Sequence, residues 1–497
     1  MLTRAMSTIN CCGCSFDSYM KTIKNLICCT LAVVCLGACA DDDSFTTSSS
    51  YRLSFSTDTL ALDTLFSNVP SAHNVMWVYN RSGDGLRCSV RQEKGSSSGF
   101  RVNIDGIYLG AGNNYETSEI EIRNKDSVQV FVEATLPTAS QPTPQKDEDN
   151  LIFTLQSGVE QKVNLNAWAW NAKLIKGLVV KRDTMISSSS PVVIYGGLKV
   201  DSNAVLTVAS GTTLYFHNDA GINVYGRLRC EGTADANVVL RGDRIDRMFD
   251  YLPYDRTPGQ WQGVHFYSSS YGNELLHTDI HSASDGVVAD SSDVSQSKII
   301  MNHSTIHNCQ GVGLRAKDVN ITVSNSQLTN TLGDCLRIDG GSAEINSCTI
   351  AQFYPFDGQR GAALNVVLNK NLKKLYVTSS LITGYADDVV SVPKEDTTAS
   401  DWLFDHCLLR TPKVTTADSA KFVNVLFENV KDTTTMGAKH FQKMDTDNLI
   451  YDFHLRDKSA AIDQADLKTS PADDHDGMKR DDKPDIGAYE YEKTEKK

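Results

Sequence analysis

The sequence predicts an all-β chain in which a parallel β-helix follows a β-sandwich, and three observations predict it. First, Thr278-Asp279-Ile280, Ser304-Thr305-Ile306, Ser326-Gln327-Leu328, Cys348-Thr349-Ile350 and Ser380-Leu381-Ile382 repeat one pattern. A small or polar residue stands two places before a large aliphatic, and the aliphatics are 26, 22, 22 and 32 residues apart. Second, in four of the five units an apolar residue follows eight positions on, at Val288, Leu314, Leu336 and Val390. Third, the intervening sequence is rich in Val, Ile, Thr, Asn, Ser and Gly and alternates apolar with polar, as in Val319-Asn320-Ile321-Thr322-Val323. A unit this short buries an apolar face only by stacking on a copy of itself. Each coil therefore lays short strands on those of the coil below, with aliphatics inward and Asn, Ser or Gly at the bends.

Taken in order, the chain opens on an export signal. Lys21 and Lys24 precede the apolar run 26–36 and the small pair Gly37-Ala38, so Met20 is its expected start. The run is too short to span a bilayer. Leu36-Gly37-Ala38-Cys39 resembles the lipobox of bacterial lipoproteins, which implies that residues 1–39 are a signal peptide with its lipobox and that Cys39 carries the lipid anchor. Asp41-Asp42-Asp43, followed by Ser and Thr, resembles the signal by which Bacteroidota send lipoproteins to the outer face of the outer membrane. Residues 40–50 are then a flexible tether, and the expected location is the outer membrane, lipid-anchored and exposed at the cell surface.

Residues 51–170 hold about eight short alternating runs, at 53–65, 75–79, 86–90, 100–104, 118–122, 127–135, 150–155 and 161–167, which argues for a β-sandwich. The Asn80 turn after Val75-Met76-Trp77-Val78-Tyr79, with the closing Val163-Asn164-Leu165-Asn166-Ala167, resembles hydin-type immunoglobulin-like modules. Such modules space or bind, and no catalytic constellation stands out in this stretch. The loop 137–149 reads as a long exposed hairpin tip.

The β-helix is expected over 177–452. Gly197-Leu198-Lys199-Val200, Val205-Leu206-Thr207-Val208 and Gly221-Ile222-Asn223-Val224-Tyr225-Gly226 resemble the opening coils of right-handed parallel β-helix proteins, a fold that hosts lyases, glycosidases, adhesins and scaffolds alike. The end, with Ser459-Ala460-Ala461-Ile462-Asp463, Asp474, Asp476-Gly477, Arg480 and Asp485-Ile486-Gly487-Ala488-Tyr489-Glu490, resembles the closing segment of secreted bacterial β-helix proteins. Residues 453–497 are accordingly expected to cap the open edge of the last coil. Their carboxylates make Ca²⁺ the one cofactor considered; no other is expected.

A formal charge of −13 disfavours nucleic acid as a partner. Six of the thirteen Cys precede Cys39. Cys88, Cys230, Cys309, Cys335, Cys348 and Cys407 are scattered without a CxxC pair, which excludes metal fingers and leaves buried thiols or a disulfide between coils.

Equal spacing aligns side chains on successive coils, about 4.8 Å apart. His277 then stacks with His303 and His281 with His307, and only these vertical pairs, with Asp279 beside them, are close enough to share a metal; the bland reading is a polar wall. In the second column Arg315 stands over Arg337 and Asn365, and Lys317 over Asp339. That strip is either a solvated wall with a Lys–Asp pair or the site of a lyase, in which cations neutralise a uronate and a base takes the C5 proton. Two aromatic loops interrupt the coils, one holding Tyr354, Phe356, Asp357 and Arg360, the other Tyr254 and Trp261. Aromatic rings beside carboxylates suit sugar faces, and equally such loops pack down as lids. Asp334, Asp339, Asp387 and Asp388 are available carboxylates, none declaring itself half of a glycosidase dyad. The expected function is thus a surface lipoprotein whose β-helix binds an extended glycan or an outer-membrane partner protein without catalysis. The alternative is a polysaccharide lyase or glycoside hydrolase acting on an anionic glycan beside Arg315, Lys317, Arg337 and Asp339.

Overall fold

The computed structural model describes residues 44–249, 251–367, 372–392 and 401–492. The signal, Cys39 and the acidic start of the tether lie outside them. Among the described residues there is no α-helix, and no helix long and apolar enough to cross a membrane. The chain divides into two compact units. The first takes in residues up to Ala61, Ser71–Ala134 and Glu148–Asn166, the second the remainder.

The strands between Leu53 and Trp170 form two five-stranded sheets. Period-two alternation sets their faces: in Asn74–Asn80, Met76 and Val78 are fully buried while Val75 and Trp77 stand out. Asn80 makes the turn that follows, its side-chain amide donating to the Asp84 and Ile122 carbonyls at 2.7 and 2.8 Å.

A 26-stranded parallel sheet dominates the second unit, starting at Lys173 rather than near residue 177 and ending at Phe427. It winds as three stacked faces. On face A the register joins Val192, Leu214, Leu240, Ile280, Ile306, Leu328, Ile350, Ile382 and Leu409 in one inward column, each at most 1% exposed. Face B stacks Leu198, Ile222, Val264, Val287, Leu314, Leu336, Leu364 and Val390. Face C stacks Val208, Cys230, Leu275, Met301, Val323, Ile345, Val377 and Phe404. One beat is corrected: Val287, not Val288, enters the core, and Val288 pairs with outward Arg315. Between faces B and C the strand Leu336–Asn346 bends at Gly341, where φ is 81° and a Cβ would lie 2.2 Å from the Val319 carbonyl oxygen.

The repeated small residue has a physical cause. Each one follows a corner residue in left-handed conformation: His277, His303, Asn325, Ser347 and Ser379 all have φ between 41° and 51°. The side chain after the corner turns into the stack, and its hydroxyl accepts from the preceding coil's amide. Thr278 N–H donates to Ser304 Oγ (2.9 Å), Ser304 N–H to Ser326 Oγ (3.2 Å) and Cys348 N–H to Ser380 Oγ (3.1 Å). These hydroxyls satisfy amides that burial would otherwise leave without water.

Cys88, Cys230, Cys309, Cys335, Cys348 and Cys407 are all free and buried. Burial pushes the thiols of Cys230, Cys335, Cys348 and Cys407 up to about 12, so they act as small apolar fillers.

The C-terminal segment differs from expectation. Instead of covering the last coil it runs back along the outside of face A, where a second core gathers Phe353, Leu381 and Leu408 with Phe441, Phe453, Ile486 and Tyr489. Gly487 N–H donates to the Ser379 carbonyl at 2.9 Å, Ala488 N–H to Thr349 Oγ1 at 3.0 Å, and Tyr489 Oη to Gln327 Oε1 at 2.6 Å. The carboxylates that suggested Ca²⁺ accept from donors of the chain itself. Asp474 takes the amides of Asp476, Met478 and Glu490, and buried Arg480 donates to Glu490, Asn325 and the carbonyls of Asp485, Gly487 and Ala488.

Candidate functional site

The side chains that point outward from face A meet the returning segment across a cleft of about 230 Å³, lined by Thr305, His307, Gln327, Thr329, Asp255 and Tyr451 among others. Three elements build it. Successive strands Thr305–His307 and Gln327–Thr329 supply polar rungs, the loop after Pro253 brings Asp255, and the antiparallel hairpin Phe441–Asp445/Ile450–Leu455 brings Tyr451. Asn330 also lines the cleft, and its side-chain oxygen has no hydrogen-bond partner among the described residues.

At the edge of the cleft lies a carboxylate–imidazole cluster. The register places His307 directly on His281 and Thr305 on Asp279, and the imidazoles stack at 4.8 Å. Asp279 Oδ1 stands 2.9 Å from His281 Nδ1 and 3.2 Å from His307 Nε2. Asp255 Oδ1 stands 3.0 Å from His281 Nε2 and 2.5 Å from the Arg241 guanidinium. Burial opposes the charge on His281, but Asp279 and Asp255 outweigh it and lift its pKa to about 9. Burial likewise opposes charge on Asp279, yet His281 and His307 hold its carboxyl well below the usual range. The pair His277 and His303 also stacks, at 4.5 Å, but as corner residues outside this cluster. His303 Nε2 meets Asn325 Nδ2 at 3.2 Å and Asp473 at 3.5 Å instead.

Sequence reasoning missed Asp255 and Arg241. Asp255 belongs to an inserted loop, whose docking point cannot be counted from coil spacing; the one signal was its neighbour Tyr254. The aromatic candidates divide. Trp261 is fully buried and stacks on Phe216 at 4.4 Å, and Tyr354 is buried too; neither presents a face to a ligand, because an apolar ring beside a solenoid gains more from the core than from water. Tyr254 lies under the Arg244 guanidinium at 3.7 Å. Phe356 and Asp357 remain exposed, and Arg360 lies over Tyr385.

On face B the expected column forms, with Arg315 over Arg337 over Asn365 and Lys317 over Asp339, but the pairing differs. Asp339 takes both Arg315 and Arg337, each through Nε at 2.9 Å and each on its own carboxylate oxygen, while Lys317 projects outward and exposed. Asp334 accepts from Asn365 Nδ2 at 2.8 Å and the Ala362 amide at 2.9 Å. Asp387 meets Arg410 at 3.3 Å and Asp388 meets Thr411 at 2.8 Å. Asp339 and, beside Arg337, Asp334 reduce the positive charge of the strip without cancelling it.

No protein-family model matches the sequence, and no curated protein is significantly similar to it. Among solved structures, a family 123 glycoside hydrolase from Clostridium perfringens, of glycolipid glycan hydrolysis, aligns with 8% identity over 26% of this chain and 30% of that chain, TM-score 0.17. The N-terminal domain of PorA aligns with 12% identity over 22% of this chain and 86% of that one, TM-score 0.16. Dex49A from Penicillium minioluteum aligns with 9% identity over 71% and 82%, TM-score 0.15. The chain spans under a third of the length of that glycoside hydrolase, and likenesses of this size say nothing of activity.

Proposed function

We propose that the protein is an outer-membrane lipoprotein, anchored through Cys39 and exposed at the cell surface, whose right-handed β-helix binds a glycan at the face A cleft, with the immunoglobulin-like first unit as spacer. The observation that carries the reading is the cleft's lining. Polar side chains of successive rungs, Thr305 and His307 with Asn330, whose amide oxygen has no partner among the described residues, line the same cleft as the Tyr451 ring. Sugars bring dense hydroxyls and apolar C–H faces, and this lining offers partners for both. The lyase alternative draws less support, because the guanidiniums of Arg315 and Arg337 are already engaged by Asp339, and a uronate would have to compete with that carboxylate for them.

The test is binding of the full chain to an immobilised panel of neutral and uronic-acid polysaccharides. Wild type is expected to be retained on at least one glycan, and Tyr451→Ala to weaken retention about tenfold or more, in line with loss of a stacking contact. Retention equal in the variant, or on no glycan, would overturn the assignment of the cleft. Release of unsaturated sugar would favour the lyase.

A further inference from the structure

We propose that Asp279, His281 and His307 form a mononuclear site for a divalent transition metal of the zinc type, with Asp255 as the carboxylate that orients His281. The inference does not rest on glycan binding, since its three ligands belong to two adjacent rungs of the wall.

The geometry comes from the coil register. Asp279 and His281 leave one strand on the same side, two residues apart, and His307 stands on the next rung directly against His281. Their three ligand atoms lie within 4.8 Å of one another. Zinc held tetrahedrally at about 2.0–2.1 Å spaces its ligand atoms about 3.3 Å apart. Asp279 Oδ1 is already 2.9 Å from His281 Nδ1 and 3.2 Å from His307 Nε2, within a few tenths of an ångström of that spacing, while the two imidazole nitrogens, within 4.8 Å of each other, would close by up to about 1.5 Å as the rings turn toward the ion.

The surroundings match what a ligating histidine requires. A metal-bound imidazole donates its other N–H to a carboxylate, which fixes the tautomer and ring plane. Asp255 stands 3.0 Å from His281 Nε2 on the side away from Asp279. It is itself held by Arg241 at 2.5 Å and, through its carbonyl, by Ser282 Oγ at 2.6 Å. The backbone is fixed as well: the Trp261 indole N–H donates to the His281 carbonyl at 2.8 Å, and the inward neighbours Ile280 and Ile306 anchor both strands in the core. Two imidazoles and one carboxylate suit zinc, copper or nickel over calcium or magnesium. Three protein ligands leave a fourth position, and because His307 and Asp255 also line the cleft, a water or a ligand hydroxyl reaches it from there.

The experiment takes the full chain stripped with chelator, titrates it with zinc chloride by calorimetry, and records the visible absorption of the cobalt(II) form. One equivalent per chain and a cobalt spectrum of tetrahedral nitrogen–oxygen ligation are expected. His307→Ala should lower affinity at least about 100-fold and Asp255→Asn about 10–100-fold, while His303→Ala, at the other stack, should bind as wild type. Absence of saturable one-to-one uptake, or a folded His307→Ala protein that binds as tightly as wild type, overturns the site. If His307→Ala loses its β-sheet circular dichroism, the wild-type cobalt spectrum and Asp255→Asn decide: an octahedral spectrum or undiminished affinity in Asp255→Asn overturns it equally.

Discussion

Faces A and B of the same solenoid obey one stacking rule and differ in what covers the aligned charges. On face B, Arg315 and Arg337 close onto Asp339, and the cluster is complete in itself. On face A, Asp279 and Asp255 crowd one buried imidazole, and a returning segment roofs the neighbouring rungs. Vertical alignment alone therefore does not make a site. What distinguishes the two faces is whether a second layer of chain withdraws the aligned groups from water, where the same charges interact more strongly.

The largest expected way to break this contrast is Arg480→Ala. Arg480 is buried and holds Glu490, Asn325 and three carbonyls together, so its loss leaves a buried carboxylate unpaired at a cost of about 3–5 kcal/mol. Chemical denaturation should register that loss, and hydrogen exchange should localise it to face A and its cover while face B keeps its protection. A smaller effect is expected from Asp339→Asn. The side chains of Arg315 and Arg337 are 41% and 32% exposed, so stability should fall by only about 1 kcal/mol. Retention on a polyanionic resin should rise, because face B would lose one of the carboxylates that offset its cations. Unchanged retention would show that Asp339 does not set the charge of that face.

The subtlest test is pH. Bonding to Asp476 and Asp452 raises His454 to about 9, above its unfolded value of about 6.5. A raised imidazole contributes stability fully below about pH 6.5 and loses it as pH climbs through about 9. Melting temperature should therefore fall across that window, and His454→Gln should flatten the slope. A variant with the same slope as wild type would remove His454 from the tie between the hairpin and Asp476.

Much of this was legible in the sequence, and the misses share a cause. Ile280, Ile306, Leu328, Ile350 and Ile382 fall in one column as their spacing implies, because strands of equal role recur at equal depth. Val288 was misread for Val287 because both are apolar and a one-residue change in the corner reverses which side faces inward. The stacked histidines were readable from register, whereas Asp255, Trp261 and the path of residues 453–492 depend on where non-repeating chain folds back, which no period encodes. Lys317 stands over Asp339 as counted, yet counting strands cannot decide which of three cations a carboxylate prefers.

The returning segment bonds to Asn325, Thr349 and Ser379, residues of three consecutive coils. A coil near Val205 can fray by releasing only its two neighbours. One near Thr349 must shed its overlay at the same moment, so a linear repeat acquires, at its C-terminal end, a block that melts all together.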